Sequence, residues 1–131
     1  MIVVTGGREL AWPLAHIEAQ LLAVAGHRRI AALFHGNARG ADALADQVAR
    51  RLGWPVRPVL AQWSRFGVSA GPIRNRKMLS AALALARSLE PAGGVILLAF
   101  PGGKGTEHCR REARKLGRIA GQPIEVRSAE G

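Results

Sequence analysis

Three apolar runs in this chain stop at glycine or proline and lead into segments of helical period, and that alternation limits the fold more than any other feature. Ile2-Val3-Val4 runs into Gly6-Gly7, Ile30 to Phe34 into His35-Gly36, and Val95 to Phe100 into Pro101-Gly102-Gly103. Trp12, Ile17, Leu21, Leu22 and Val24 then recur at helical spacing up to Gly26. Leu44, Val48 and Leu52 line one stripe of a helix predicted over Gly40 to Leu52, with Gly53 as its stop. A helix predicted over Thr106 to Leu116 turns Cys109, Ala113 and Leu116 inward. Val56 to Leu60 reads as a third strand whose Pro58 favours an edge. A loop carrying Trp63, Gly67, Gly71 and Pro72 leads to a helix predicted over Arg76 to Leu89, and Pro123 to Val126 reads as a last short strand. Strands alternating with helices through short Gly-rich turns predict an α/β fold, with a mainly parallel sheet of about five strands covered by helices on both faces. With neither a linker nor a repeat in view, residues 1–131 read as a single domain.

Composition narrows the partners. The net charge of +10 calls for an anionic one: a nucleotide, a nucleic acid or an acidic surface. A single cysteine, Cys109, rules out an internal disulfide and a thiolate metal cluster, and suits a reducing compartment. The first residues carry no basic segment ahead of their short apolar run, and no apolar stretch nears the roughly 20 residues that span a bilayer. The expectation is a cytoplasmic protein without a membrane partner.

In a parallel sheet ligands gather beyond the carboxyl ends of the strands, where helix N-termini point inward. The unusual residues of this chain fall at those ends: Thr5-Gly6-Gly7-Arg8, His35 to Asp42, and Pro101 to His108. Glycine lets backbone N–H groups approach an anion closely, and a helix beginning immediately afterwards adds unsatisfied N–H groups and a positive dipole end. Tight turning alone is the plainer reading of any one such loop; three on one edge favour a phosphate site. Arg8, Arg39, Arg74, Arg76, Lys77 and Lys104 sit in these loops or just after them, where the helix dipole disfavours cations and a bound polyanion would favour them. Arg110, Arg114 and Arg118, with Arg111 and Lys115 beside them, read more economically as a solvated helix face than as a nucleic-acid contact. Asp42 reads either as a helix-start carboxylate or as a ligand for ribose hydroxyls or proton transfer; Glu107 reads as a cap. Asn75 either reads a base edge or finishes a turn, and Trp63 is assigned to the core ahead of base stacking. His35 and His108 have no third ligand spaced for a metal site, and no cofactor is expected.

The strings "VTGGR", "HGNARGADALA", "W…FG…AGPIRNRKML" and "AFPGGKGTEHCRREARKLG", in that order, cover nearly the whole chain. Their combination resembles the YspA/YpsA-related branch of the SLOG superfamily, which also contains the Lonely Guy phosphoribohydrolases and the DNA-processing protein DprA. The resemblance implies a single Rossmann-like domain binding a nucleotide or nucleotide-derived ligand, with a sensor role among the readings, in a bacterial or phage protein that pairs as a homodimer or higher homo-oligomer. It implies a pocket of Gly6, Gly7, Arg8, Gly36, Arg39, Gly40 and Asp42, completed by Arg74, Asn75, Gly102, Gly103, Gly105 and Thr106; Lys104, among them in the chain, is expected to bind phosphate too. The Lonely Guy motif resembles PGGxGTxxE; its acid position is here Cys109, while Arg76-Lys77 resembles that group's arginine-lysine pair. Glu107, two residues before Cys109, would point about 160° away on a helix.

Three functions therefore compete. Nucleotide-ligand binding leads. Hydrolysis of a nucleotide N-glycosidic bond follows, with Arg76 and either Asp42 or Glu107 as the catalytic groups. Single-stranded nucleic-acid binding comes third, weakened by the scarcity of aromatic residues for stacking.

Overall fold

A computed structural model describes residues 1–131. Five parallel strands, β1 (Ile2–Thr5), β2 (Leu33–His35), β3 (Val56–Pro58), β4 (Ile96–Ala99) and β5 (Glu125–Ser128), lie in the order β3-β2-β1-β4-β5. The helices are α1 (Leu14–Ala25), α2 (Ala41–Arg51), α3 (Trp63–Phe66), α4 (Ala70–Ser88) and α5 (Lys104–Ala120), with a 3-10 turn at Gly67–Ser69 between α3 and α4. The arrangement is the three-layer Rossmann-like α/β fold expected from the alternation of periods.

Alternate residues of the central strands face opposite layers, as the two-residue period of a strand requires. Ile2 and Val4 of β1, Leu33 of β2, and Ile96 and Leu98 of β4 pack against Ile17, Leu21, Ala45 and Val48 of α1 and α2. Val3, Phe34 and Leu97 pack on the other face against Met78, Leu79, Ala82, Cys109 and Ala113 of α4 and α5. Buried on both sides, β1 and β4 therefore read as unbroken apolar runs. The buried stripe of α5 is small, Thr106, Cys109, Ala113 and Gly117, which lets it lie close to its neighbours. A Cβ at Gly117 would fall 2.8 Å from the backbone nitrogen of Ile124.

The chain builds β1, β2 and β3 outward in one direction, then returns to place β4 on the other side of β1. The crevice between the carboxyl ends of β1 and β4 is thus the switch point at which open α/β sheets bind ligands.

Several boundaries differ from those predicted. Helix α4 starts at Ala70, not Arg76, because Gly71 and Pro72 lie in its first turn, where proline's missing N–H has no intrahelical partner to lose. The stretch expected to be a loop thus carries α3, the 3-10 turn and the start of α4. Strand β2 starts at Leu33 and not Ile30, since its neighbour β1 begins at Ile2, paired with Leu33, and leaves nothing for Ile30 to pair with. Strand β5 runs to Ser128, paired with Ala99.

Candidate functional site

Backbone bonds bring the three glycine turns together. Gly7 N–H donates to the Pro101 carbonyl at 2.8 Å, and the Gly7 carbonyl accepts from Ala41 N–H at 3.1 Å. One residue thereby ties the end of β1 to the turn after β4 and to the first residue of α2. The packing leaves no space for side chains: a Cβ at Gly102 would lie 2.8 Å from Gly7 N and on the Thr106 hydroxyl, and one at Gly40 would lie on the Gly7 carbonyl. Gly40 and Gly102 therefore hold the corner together from behind and do not line the cleft it forms.

That cleft has a volume of about 600 Å³. Thr5, Gly6 and Gly7 form its floor, and Gly103, Lys104, Gly105 and Thr106 at the start of α5 form one wall. No side chain caps that helix start, so its first N–H groups and the positive end of its dipole are directed into the cleft. Arg8, Arg74, Lys104 and Arg111 bring four cations to the lining. Asp42 is the one carboxylate among the lining residues.

Asp42 is held in place by its own loop. Its Oδ2 accepts from Gly36 N–H at 3.1 Å and from Ala38 N–H at 3.2 Å. Its Oδ1 is buried without any partner, in a residue only 5% exposed. Burial raises the carboxyl above its ordinary value, against the lowering influence of the Ala38 N–H, His35, Arg74 and the Gly36 N–H. A buried acceptor without a donor costs on the order of 1–3 kcal/mol, and a ligand hydroxyl would relieve it. The same loop is braced by His35, 1% exposed. Its Nδ1 accepts from Asn37 N–H at 2.9 Å, which places the ring proton on Nε2, donated to Asp46 Oδ2 at 2.6 Å.

Arg74 reaches the same loop from α4. Its Nη1 donates to the Gly36 carbonyl at 2.5 Å and its Nε to Asn75 Oδ1 at 3.0 Å, leaving Nη2 without a protein partner. Burial lowers its guanidinium from the ordinary value while Asp42 opposes that shift, and it stays charged. Asn75, buried, passes the contact on: its Nδ2 donates to His108 Nδ1 at 3.2 Å and to the Gly105 carbonyl at 3.4 Å. Asn75 thus joins α4 to the first turn of α5 as well as lining the cleft.

Not every expected residue reaches this space. Gly36 and Arg39 line a smaller neighbouring cleft, where Arg39, 73% exposed, pairs with Glu9 at 2.6 Å. Asp42 makes no hydrogen bond to Arg39. Glu107 projects to solvent and lies 3.3 Å from Arg110, and Arg76 lies 3.7 Å from Glu112; neither lines the cleft. Trp63, assigned to the core from sequence, is 49% exposed and forms part of the rim, with the Arg8 guanidinium 5.5 Å from its ring centroid. Arg111, read as part of a solvated face, also lines the cleft.

Beyond the expected pocket residues, Val68, Gly71 and Pro72 of the α3–α4 corner, Ala38 and His108 also line the cleft. Glu112 lies behind the wall. Its Oε2 is buried without a partner and its Oε1 lies 3.5 Å from His108 Nε2. The spacing of His108 and Glu112, one helical turn apart on α5, was the signal for that pair.

A larger cavity of about 980 Å³ opens at the amino ends of the strands, around Met1, Trp54, Leu89 and Gly93. It has neither the glycine turns nor an uncapped helix start, so volume alone does not recommend it. No helix is long and apolar enough to cross a membrane.

A model of the YAcAr family, described as the YspA, cpYpsA-related SLOG family, matches residues 1–66, half of the chain. The matched part holds Gly6 to Arg8, Asp42 and Trp63; Arg74 and the α5 turn lie beyond it. The Gene 61 protein of Mycobacterium phage D29 is 43% identical over 90 residues, a match covering 63% of this chain and 63% of that protein. The chain thus spans less than two thirds of that relative. No solved structure matches.

Proposed function

The chain belongs to the YspA, cpYpsA-related SLOG family, and from that premise we propose that the cleft at the β1–β4 switch point binds a nucleotide or nucleotide-derived ligand. The observation that carries this reading is the pairing of opposite requirements in one cleft. Four cations and an uncapped helix start suit phosphate oxygens, while the buried, unpartnered Asp42 Oδ1 suits a hydroxyl donor a short distance away. A phosphorylated ribose supplies both groups in one molecule. Lys104, Arg111 and the N–H groups of the α5 start hold the phosphate, Arg74 contributes Nη2, and Asp42 receives a ribose hydroxyl. Family membership is consistent with a ligand of this kind.

Isothermal titration with nucleoside monophosphates tests the proposal. Binding that weakens at least about tenfold in Lys104→Ala and in Arg74→Ala, about 1.4 kcal/mol each, supports it. Absence of binding across the purine and pyrimidine series overturns it.

A second reading, cleavage of a nucleotide N-glycosidic bond, is favoured by one observation: Asp42 is a carboxyl held above its ordinary value inside the cleft, the condition for a group that donates a proton to a leaving base. The position of Glu107 outside the cleft leaves Asp42 to carry that role. Free base released from a nucleoside monophosphate, and lost in Asp42→Asn, would establish it.

A further inference from the structure

The charge of the chain is divided unequally between the two helical layers. Helices α4 and α5, on one face of the sheet, carry ten Lys and Arg against Glu107 and Glu112, a net +8. Helices α1 and α2, on the other face, carry Arg50 and Arg51 against Glu18, Asp42 and Asp46, a net −1. Most of the chain's +10 therefore belongs to one side of the molecule. Both acids of the basic layer are already engaged. Glu107 lies 3.3 Å from Arg110, and Glu112, its side chain 12% exposed, lies 3.7 Å from Arg76 and 3.5 Å from His108. Arg114, Lys115 and Arg118 are exposed, and none of them meets an acid. At 3.6 residues per turn they fall within an arc of about 100° on α5. Arg87 of α4 joins them beside the last turn of α5, where it donates to the Ala120 carbonyl at 2.7 Å. Like charges three and four residues apart repel on a helix, and a face that only keeps a chain soluble mixes both signs. A polyanion laid on this face would relieve that repulsion.

The rest of the face narrows the kind of polyanion. Ile119 is the one large exposed apolar side chain on α4 or α5. That is too little for the apolar stripe that seats a helix in a membrane, or for the buried anchors of a protein interface. Neither helix has a Phe, Trp or Tyr, so no platform is offered to unpaired bases. Helix α5 exposes no Ser, Thr, Asn or Gln that would reach the 2′-hydroxyls by which duplex RNA is recognised. Phosphate met by charge alone is what remains, and the backbone of duplex DNA presents one about every 3.4 Å along each strand. We infer that the outer face of α5, with Arg87 beside it, docks on double-stranded DNA through the phosphate backbone, without reading sequence. This is independent of the nucleotide reading, because Arg87, Arg114, Lys115 and Arg118 do not line the cleft. Arg111, on the same arc of α5, opens onto the cleft and is left to the ligand there.

Fluorescence polarisation with a labelled DNA duplex of about 20 base pairs and mixed sequence, titrated across a range of salt, tests the inference. The wild type is expected to bind, and to weaken steeply as salt rises. Arg114→Gln, Lys115→Gln and Arg118→Gln made together are expected to weaken binding at least about 30-fold at ~50 mM salt. The log–log salt slope is expected to become shallower by nearly 3, since each phosphate neutralised contributes about 0.9. The urea midpoint of this triple variant is expected to match or exceed that of the wild type, because mutually repelling charges have been removed. Arg29→Gln, Arg51→Gln and Arg57→Gln together remove the same charge from exposed positions elsewhere, and are expected to weaken binding less than about threefold. No duplex binding at ~50 mM salt overturns the inference, and so does an equal loss in the two triple variants, which would assign binding to net charge and not to this face. Tighter binding of a single strand or of an RNA duplex of the same sequence also overturns it, as does capture by phosphatidylserine vesicles in preference to the duplex.

Discussion

The guanidinium of Arg74 on α4 is anchored to the carbonyl of Gly36, beyond the end of β2, by a 2.5 Å hydrogen bond. This contact brings a residue 38 positions away in sequence to the loop residue whose N–H also donates to Asp42. A Cβ at Gly36 would fall on that guanidinium. Because the obstacle is the tip of a flexible side chain, Gly36→Ala is expected to cost less than about 1 kcal/mol in stability. Arg74 must nevertheless swing away, so ligand affinity is expected to fall as far as in Arg74→Ala. Urea unfolding alongside titration of a nucleoside monophosphate checks both halves.

Gly40 is expected to behave oppositely. Its φ is +74°, and a Cβ there would meet Gly7 and Arg8 backbone, with the Arg8 carbonyl oxygen 2.6 Å away. Backbone cannot step aside as a side-chain tip can, so Gly40→Ala is expected to destabilise the fold by about 2–4 kcal/mol. Gly53 gives the control. Its φ is +78° with nothing within 4 Å of an added Cβ, so Gly53→Ala is expected to cost only about 1 kcal/mol. The urea midpoints of the two variants rank them.

How much of this was legible in the sequence depended on which force placed each residue. The places of Gly6 and Gly7 at a strand-end turn and of Lys104 and Thr106 at a helix start were legible because those are local features, and β1 and β4 were legible because burial on both faces gives an unbroken apolar run. Trp63 was misread because its exposure is set by how α3 packs beside α4, which no local pattern encodes; Arg111 is exposed as read and lines the cleft as well. Arg39 was credited to the cleft for its neighbours in sequence, yet it lies on the neighbouring smaller cleft, where it pairs with Glu9, 30 residues away. The early start of α4 was hidden by Gly71-Pro72, a pair that usually marks a loop but is tolerated in a first helical turn.

Asp42 gives the fold a distinctive pH dependence. Burial holds its carboxyl above the ordinary 3.8, so the folded chain binds this proton more tightly than the unfolded chain. The resulting stability is fully present below pH 3.8 and is lost as pH rises through the raised folded value. Asp46 acts in the reverse sense, since the Arg50 hydrogen bond above all holds its carboxyl below 3.8. Its contribution is present above 3.8 and is lost as pH falls through the lowered value. Comparing wild type with Asp42→Asn isolates the first effect: unfolding free energies measured from about pH 3 to pH 7 are expected to fall more, on raising the pH, in the wild type than in the variant.

Cys109 is expected to be chemically silent in the folded protein. It is fully buried against α4, and burial pushes its thiol up to about 12. The thiolate, which is the reactive form, is therefore scarce near neutral pH. Reaction with Ellman's reagent at about pH 8 is expected to be at least ~100-fold slower than after unfolding in guanidinium. A native rate equal to the unfolded rate would show that the contact between α4 and α5 opens readily.

The placement of the ligand at the β1–β4 crevice is tested most directly by backbone amide shifts in a two-dimensional nitrogen–proton NMR titration with a nucleoside monophosphate. The account predicts saturable shifts at Gly6, Gly7 and Gly103 to Thr106, together with the Trp63 indole N–H. Shifts confined to Trp54, Gly93 and Gly94 would contradict it, because they would put the ligand in the larger cavity at the amino ends of the strands.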